Sequence, residues 1–192
     1  MRYEEQSFEN LTGQESVEDT DYSDCIFHGC DFVQTKIKYC SFDNCEFIDC
    51  TFSSVEFAFC TMRNCTFSNC SLIGINWSGL VEHGSIFFAA RSLKKCILKS
   101  NDFFHLTLPA CDFSDSTIQD TYFEECDLRK ADFRKVNFSR AIFDNCDLRE
   151  ADFREAKNYL IDTNNNKIKG AKFSYPDVVG LLTPLGIKIE DL

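Results

Sequence analysis

Twelve cysteines, three histidines and thirty-one acidic residues are the groups in this 192-residue chain that could do chemistry. Cys25, Cys30, Cys40, Cys45, Cys50, Cys60, Cys65, Cys70, Cys96, Cys111, Cys126 and Cys146 could pair as disulfides or hold a metal. Their spacing argues against both. Within Cys25–Cys70 and again within Cys96–Cys146 their spacings are multiples of five, CxxC pairs are lacking, and His28, His83 and His105 are scattered, so no metal-ligand set is expected. Cysteines stacked in one slot would carry parallel Cβ vectors, whereas a disulfide needs them to converge. Reduced, buried thiols suit a cytoplasmic protein. A glycine-rich phosphate loop, a GxSxG elbow and a Ser/His/Asp set are also lacking, so the expectation is a non-enzyme without cofactor or metal.

The elements that must position these residues are set by a period of five. Each cysteine lies two residues before a large apolar position. Phe27, Phe32, Ile37, Phe42, Phe47, Phe52, Phe57, Met62, Phe67, Leu72 and Trp77 share one register. After an interruption, Leu93, Leu98, Phe103, Leu108, Phe113, Ile118, Phe123, Leu128, Phe133, Phe138, Phe143, Leu148 and Phe153 follow on a register shifted by one. Where the cysteine slot holds another residue it is usually small or β-branched, as at Thr35, Val55, Ala131 and Val136, so cysteine serves there as a compact hydrophobe.

Neither a helix nor a flat strand repeats every five residues. A small and a large residue point inward together, as in a strand, and two more turn a corner. Four corners close a square coil of twenty, and at that spacing Leu108, Leu128 and Leu148 align, as do Phe103, Phe123 and Phe143, and Cys25, Cys45 and Cys65. The predicted fold is an all-β square solenoid of about seven coils, stacked at about 4.8 Å. Each buried Phe or Leu contributes roughly 1.5–3 kcal/mol.

The formal net charge of −11 argues against direct nucleic acid binding, which needs a basic footprint. The absence of a long apolar run argues against a membrane span or a signal peptide. Asp112, Asp132 and Asp152 share one column, and Asp127 and Asp147 another. Carboxylates repeated along a rod resemble a DNA strand, with one phosphate per about 3.4 Å, and would attract a basic DNA-binding groove. Arg134 and Arg154, and Arg129 and Arg149, follow these columns two residues on and neutralise much of the field, so from charge alone the alternation reads first as a device for solubility.

Departures from the period divide the chain. Residues 1–16 are expected to be an irregular cap or a mobile segment, 17–77 the first part of the solenoid, 78–92 an interruption, 93–173 the second part, and 174–192 a helix with a short strand. The interruption is either a binding loop, with Leu80, Val81, Glu82 and His83 as target contacts, or a tolerated bulge. Ser174-Tyr175-Pro176-Asp177 reads as a capping box, Val178, Leu181, Leu182 and Leu185 as one apolar helical stripe, Gly186 as its end and Ile187-Lys188-Ile189 as an edge strand. Such a helix must cover the last coil, and leftover apolar surface would favour a second copy of the chain.

Units such as Ala131-Asp132-Phe133-Arg134-Lys135, Cys146-Asp147-Leu148-Arg149-Glu150 and Ala151-Asp152-Phe153-Arg154-Glu155 resemble the pentapeptide-repeat family, which implies a right-handed quadrilateral β-helix. Gly74-Ile75-Asn76-Trp77 before a break, Asn158-Tyr159-Leu160-Ile161-Asp162, Ile168-Lys169-Gly170-Ala171-Lys172-Phe173-Ser174 and Leu181-Leu182-Thr183-Pro184-Leu185-Gly186-Ile187 are similar to its topoisomerase-protecting branch, which includes albicidin-resistance and Qnr-type quinolone-resistance proteins. What that resemblance implies is a cytoplasmic homodimer joined through C-terminal helices, a DNA mimic that engages DNA gyrase and perhaps topoisomerase IV and relieves poisons such as albicidin or fluoroquinolones. A scaffolding solenoid that binds some other protein is the alternative.

Overall fold

The computed structural model describes residues 1–82, 85, 86 and 88–187. Most of its strands are three residues long, because the corners arrive every five. Ile26–His28, Asp31–Val33, Lys36–Lys38 and Ser41–Asp43 make one complete coil. In each the middle residue is buried and its neighbours face outward. Each of these four strands pairs in parallel with the one a coil further on: Phe27 opposes Phe47, Phe32 opposes Phe52, Ile37 opposes Phe57 and Phe42 opposes Met62. The result is a right-handed quadrilateral β-helix, the architecture that the resemblance to the pentapeptide-repeat family implies, with about eight turns rather than the expected seven.

Corners are made by residues in the left-handed region, with φ between 49° and 62° at the non-glycine positions. This conformation redirects the chain while leaving each N–H able to reach the next coil, so that Asp24 donates to the Asp43 carbonyl at 2.9 Å and Asp49 to Ser68 at 3.0 Å. Asn and Asp tolerate it best among residues with a side chain, and they recur at these corners.

The core is a set of columns. Phe27, Phe47 and Phe67 stack at 4.9 and 4.8 Å between ring centroids, Phe103, Phe123 and Phe143 at 4.7 and 4.9 Å, and Phe113, Phe133, Phe153 and Phe173 at 4.9, 4.9 and 5.1 Å. All twelve cysteines are buried and unpaired as disulfides. The thiols other than Cys111 donate to carbonyls of their own and the preceding coil, as Cys50 does to Ile48 and Phe27, both at 3.3 Å. Burial pushes the Cys25, Cys30 and Cys111 thiols up from the ordinary value. Where the slot is polar, its side chain bonds the preceding coil: Ser116 Oγ donates to Leu93 O at 2.8 Å, and Asn101 Nδ2 to Leu72 O at 2.8 Å.

Three expectations need correction. The first sixteen residues already belong to the rod: Arg2–Glu4 and Ser7–Glu9 pair with the coil above, and Tyr3 stacks on Tyr22 and Phe8 on Phe27. These pairs are nineteen residues apart, one short of the repeat, which adds the eighth turn and hid it from the periodicity. The interruption adds six residues, because Met62 opposes Phe88 rather than a residue twenty on. It contains a small antiparallel hairpin, Val81–Glu82 with Ser85–Ile86.

The C-terminal helix is also not the α-helix that the stripe predicts. It is a 3-10 helix over Asp177–Leu185, starting after the cis peptide Tyr175-Pro176. Pro184 within it has no N–H for an α-helical bond. Ser174 does not cap it; its hydroxyl accepts from the Glu155 N–H at 3.0 Å, tying the chain to the coil below. Gly186, with φ 68°, ends the helix as expected. The expected strand at Ile187-Lys188-Ile189 reaches beyond the described residues.

Phe123→Ala is expected to cost about 3–5 kcal/mol in urea unfolding, since it empties one position of an unbroken aromatic column. In the wild-type protein the twelve thiols are expected to react with a thiol reagent only after denaturation; rapid native-state labelling would contradict their burial.

Candidate target-binding surface

The six extra residues leave the rod at a single corner. Val17, Ile37, Phe57, Trp77 and Phe103 follow one another on one face, and the corner residues two further on are Asp19, Tyr39, Phe59, Gly79 and His105. The hairpin departs where the short 3-10 turn Trp77–Gly79 lies on Phe57, with Asn76 Oδ1 accepting from the Ser78 N–H at 2.9 Å. Gly79 is required there, because a Cβ would stand 2.6 Å from the Phe57 carbonyl oxygen. Beyond the hairpin the same corner carries His105, whose Nδ1 lies 3.1 Å from Glu125 Oε2.

Of the four expected contact residues, Val81 and Glu82 lie on the hairpin, and His83 lies outside the described residues. Leu80 is misassigned: it is fully buried. It stands five residues after Ile75, in the inward slot of the next unit, so it anchors the base of the hairpin. That spacing was the signal available in the sequence.

The five aspartates expected to make a DNA-like face have a different occupation. Asp127, Asp132, Asp147 and Asp152 each accept from the backbone N–H two residues on, at 3.0–3.2 Å, and from the guanidinium of that same residue. The nearest ion-pair distances are 2.6 Å for Arg129, 2.5 Å for Arg134, 2.5 Å for Arg149 and 2.6 Å for Arg154. Asp112 Oδ1 accepts from the Ser114 N–H at 2.8 Å, and its other oxygen lies 3.7 Å from Lys94 Nζ. These carboxylates stack in register, but they build turns and their charge is cancelled in place. The arginine hydrogen bonds hold Asp127, Asp147 and Asp152 below the usual carboxylate range. At Asp132 burial opposes ionisation, and the bonds to Arg134 still bring it below that range.

The uncompensated charge lies elsewhere. Residues 1–77 carry 13 acidic against 4 basic residues, a net −9, while the remaining 115 carry 18 against 16. Eleven of those thirteen acids are exposed, Asp31 and Asp43 being the half-buried ones. The acidic half of the rod therefore ends at the hairpin.

At the other end, the stripe expected to join two copies splits. Leu181, 9% exposed, and the partly buried Val178 pack onto the last coil and cap it. Leu182 is half-buried and Leu185 is 45% exposed. Tyr122, Ile142 and Leu160 are exposed nearby and line one groove with Thr183 and Pro184. Among the described residues no group of three or more metal-ligating side chains is gathered, and no helix is long and apolar enough to cross a membrane.

Carboxylates held below their unfolded pKa of about 3.9 stabilise the fold above that pH, and the contribution is lost as pH falls through the folded value. The urea midpoint is therefore expected to be flat above about pH 5 and to fall on further acidification. Arg134→Gln with Arg154→Gln should raise the aspartate pKa values and move that fall to higher pH; an unchanged acid limb would show that the arginine pairs do not govern it.

Residues 20–90 match the pentapeptide repeat region model, and residues 108–145 and 131–157 match the model of pentapeptide repeats in eight copies. A search of curated protein sequences finds no match. Among solved structures, a trypsin-treated variant of QnrB1, a plasmid-mediated fluoroquinolone resistance protein, superposes with a TM-score of 0.65 at 16% identity, over 99% of this chain and 98% of that one. A second trypsin-treated QnrB1 variant gives a TM-score of 0.57 at 16% identity over the same shares. HetL, a pentapeptide repeat protein involved in heterocyst differentiation regulation in the cyanobacterium Nostoc, gives 0.50 at 13% identity, over 90% of this chain and 82% of that one. At these identities the likeness is one of fold, and with the two sequence models covering most of the repeats, the chain belongs to the pentapeptide-repeat family.

Proposed function

We propose that this protein binds DNA gyrase, with topoisomerase IV as a second target, and protects it from poisons such as albicidin or fluoroquinolones without catalysing a reaction itself. The observation that carries the proposal is an acidic rod that superposes end to end on a fluoroquinolone-resistance protein and is interrupted at one corner by a hairpin. A rod with net charge −9 in its first 77 residues is attractive to a basic DNA-binding groove, and this half takes the role first assigned to the aspartate columns. The hairpin adds a specific contact where the acidic half ends. The thiol-rich core suits the cytoplasm, where gyrase works.

Two copies are proposed to join at the C-terminal end through Leu182 and Leu185, extended by the exposed strip of Tyr122, Ile142 and Leu160. Val178 and Leu181 act beneath that surface as the cap. The likeness to HetL, whose task is regulatory, favours a second reading in which the same rod scaffolds another protein.

The deciding experiment titrates the purified protein into DNA gyrase supercoiling and cleavage assays, with and without a fluoroquinolone or albicidin. Restored supercoiling with fewer trapped breaks is expected; no effect on either, with a folded protein, moves the assignment to the scaffold. Excising Val81–Ile86 restores the twenty-residue spacing from Met62 to Phe88, with Leu80 in its slot, so the fold should survive and protection should be lost. Leu160→Glu with Leu185→Glu should yield monomers in sedimentation, and persistent dimers would place the interface elsewhere.

A further inference from the structure

Tyr39 and Phe59 occupy successive positions of the corner from which the hairpin leaves. Both have left-handed backbone, φ 53° and 55°, a conformation that bulky side chains disfavour. Among the described residues with positive φ they are the two with a carbocyclic aromatic ring; the other corners carry mostly Asn, Asp, Glu, Lys, Ser or Gly. Neither contributes to the core, since they are 55% and 65% exposed. Their rings stand 5.3 Å apart and within 4° of parallel, forming a two-ring stack on the outside of the rod.

Such a pair is unfavourable on an isolated rod. A polar residue would suit the backbone better and would not expose aromatic surface to water. The surroundings indicate what would offset this. The preceding residue of the same corner column is the exposed Asp19, whose N–H donates to Lys38 O as that of Tyr39 does to Ala58 O. Glu18 and Asp21 flank it, and Lys38 is engaged with Glu18 at 4.0 Å. A stack of aromatic faces set among carboxylates is the complement of a guanidinium, which places its plane against a ring and its donors on neighbouring acids. Tyrosine and phenylalanine beside a hairpin can also supply the buried anchor that a charged surface lacks.

We propose that Tyr39 and Phe59 form a docking plate for an arginine-bearing segment of a partner protein, held together with the hairpin in one contact surface. The plate lies inside the acidic half of the rod, so long-range attraction draws a basic partner toward the half that carries the rings. The inference rests on the reading of the rod as a protein-binding element and adds to it the residue type that the partner presents.

Tyr39→Asn with Phe59→Asn supplies the side chain that this backbone favours, so the unfolding midpoint is expected to hold or rise. Two readouts use the full chain. In an NMR titration with the peptide Gly-Arg-Gly-Arg-Gly and its lysine counterpart, the Tyr39 and Phe59 ring signals should shift more with arginine, and ring signals unmoved by arginine would overturn the plate. In binding to immobilised gyrase holoenzyme, the double variant should be weaker on the order of tenfold. Equal binding by wild type and variant overturns the proposal and leaves the gyrase reading standing. If the wild type does not bind gyrase, that reading falls, and the peptide titration alone decides the plate.

Discussion

A coil of twenty residues that must hydrogen-bond to the coils on both sides can turn only where the backbone leaves its N–H groups pointing along the rod axis. The left-handed residue at each corner meets that condition, and the rest of the architecture depends on it. Because each corner spends one residue in this way, the strands between corners shrink to three, and a single large side chain per strand reaches the interior. The apolar contact that a longer strand would spread over several residues is concentrated in columns of Phe, Leu and Ile stacked about one strand spacing apart. The slot two residues earlier takes a thiol lying within reach of two carbonyls, or a Ser or Asn that donates to the carbonyl of the preceding coil.

This dependence explains what could be read in the sequence. The period of five, the slot of small residues and the spacing of twenty are direct imprints of the corner, so the architecture and most of the core are legible. The first coil was concealed because Tyr3 and Phe8 precede their partners by nineteen residues rather than twenty. The site was less legible. Leu80 looked like part of a loop because the unit it opens is finished only after the hairpin, at Phe88. Ser174 matches a helix cap in sequence, but an N–H on the neighbouring coil competes for its hydroxyl, and proximity across nineteen residues is invisible to a local motif.

The aspartate columns show a further limit. Spacing alone places Asp132 above Asp112 and below Asp152, and the structure keeps them there as isolated bridges between coils. What spacing does not reveal is where each arginine two residues on will point. Because each aspartate accepts from the N–H two residues on and so closes Asp-x-Arg on itself, the guanidinium reaches its own aspartate, and a row of charges becomes a row of closed pairs.

A stacked rod transmits little from one coil to the next beyond register, since each unit contacts only its neighbours. Its corners are consequently free to differ, provided they adopt the left-handed conformation and preserve the ladder. That freedom makes departures informative. A polar residue at a corner satisfies backbone and solvent at once, whereas Tyr39 and Phe59 satisfy neither, and they adjoin the one corner from which extra chain emerges between two coils. The acid surplus of the first 77 residues covers the same stretch. Two features that the fold itself does not need, the ring pair and the hairpin, therefore share one corner column within the acidic half, and a surface that gains nothing for the rod alone is best understood through what binds to it.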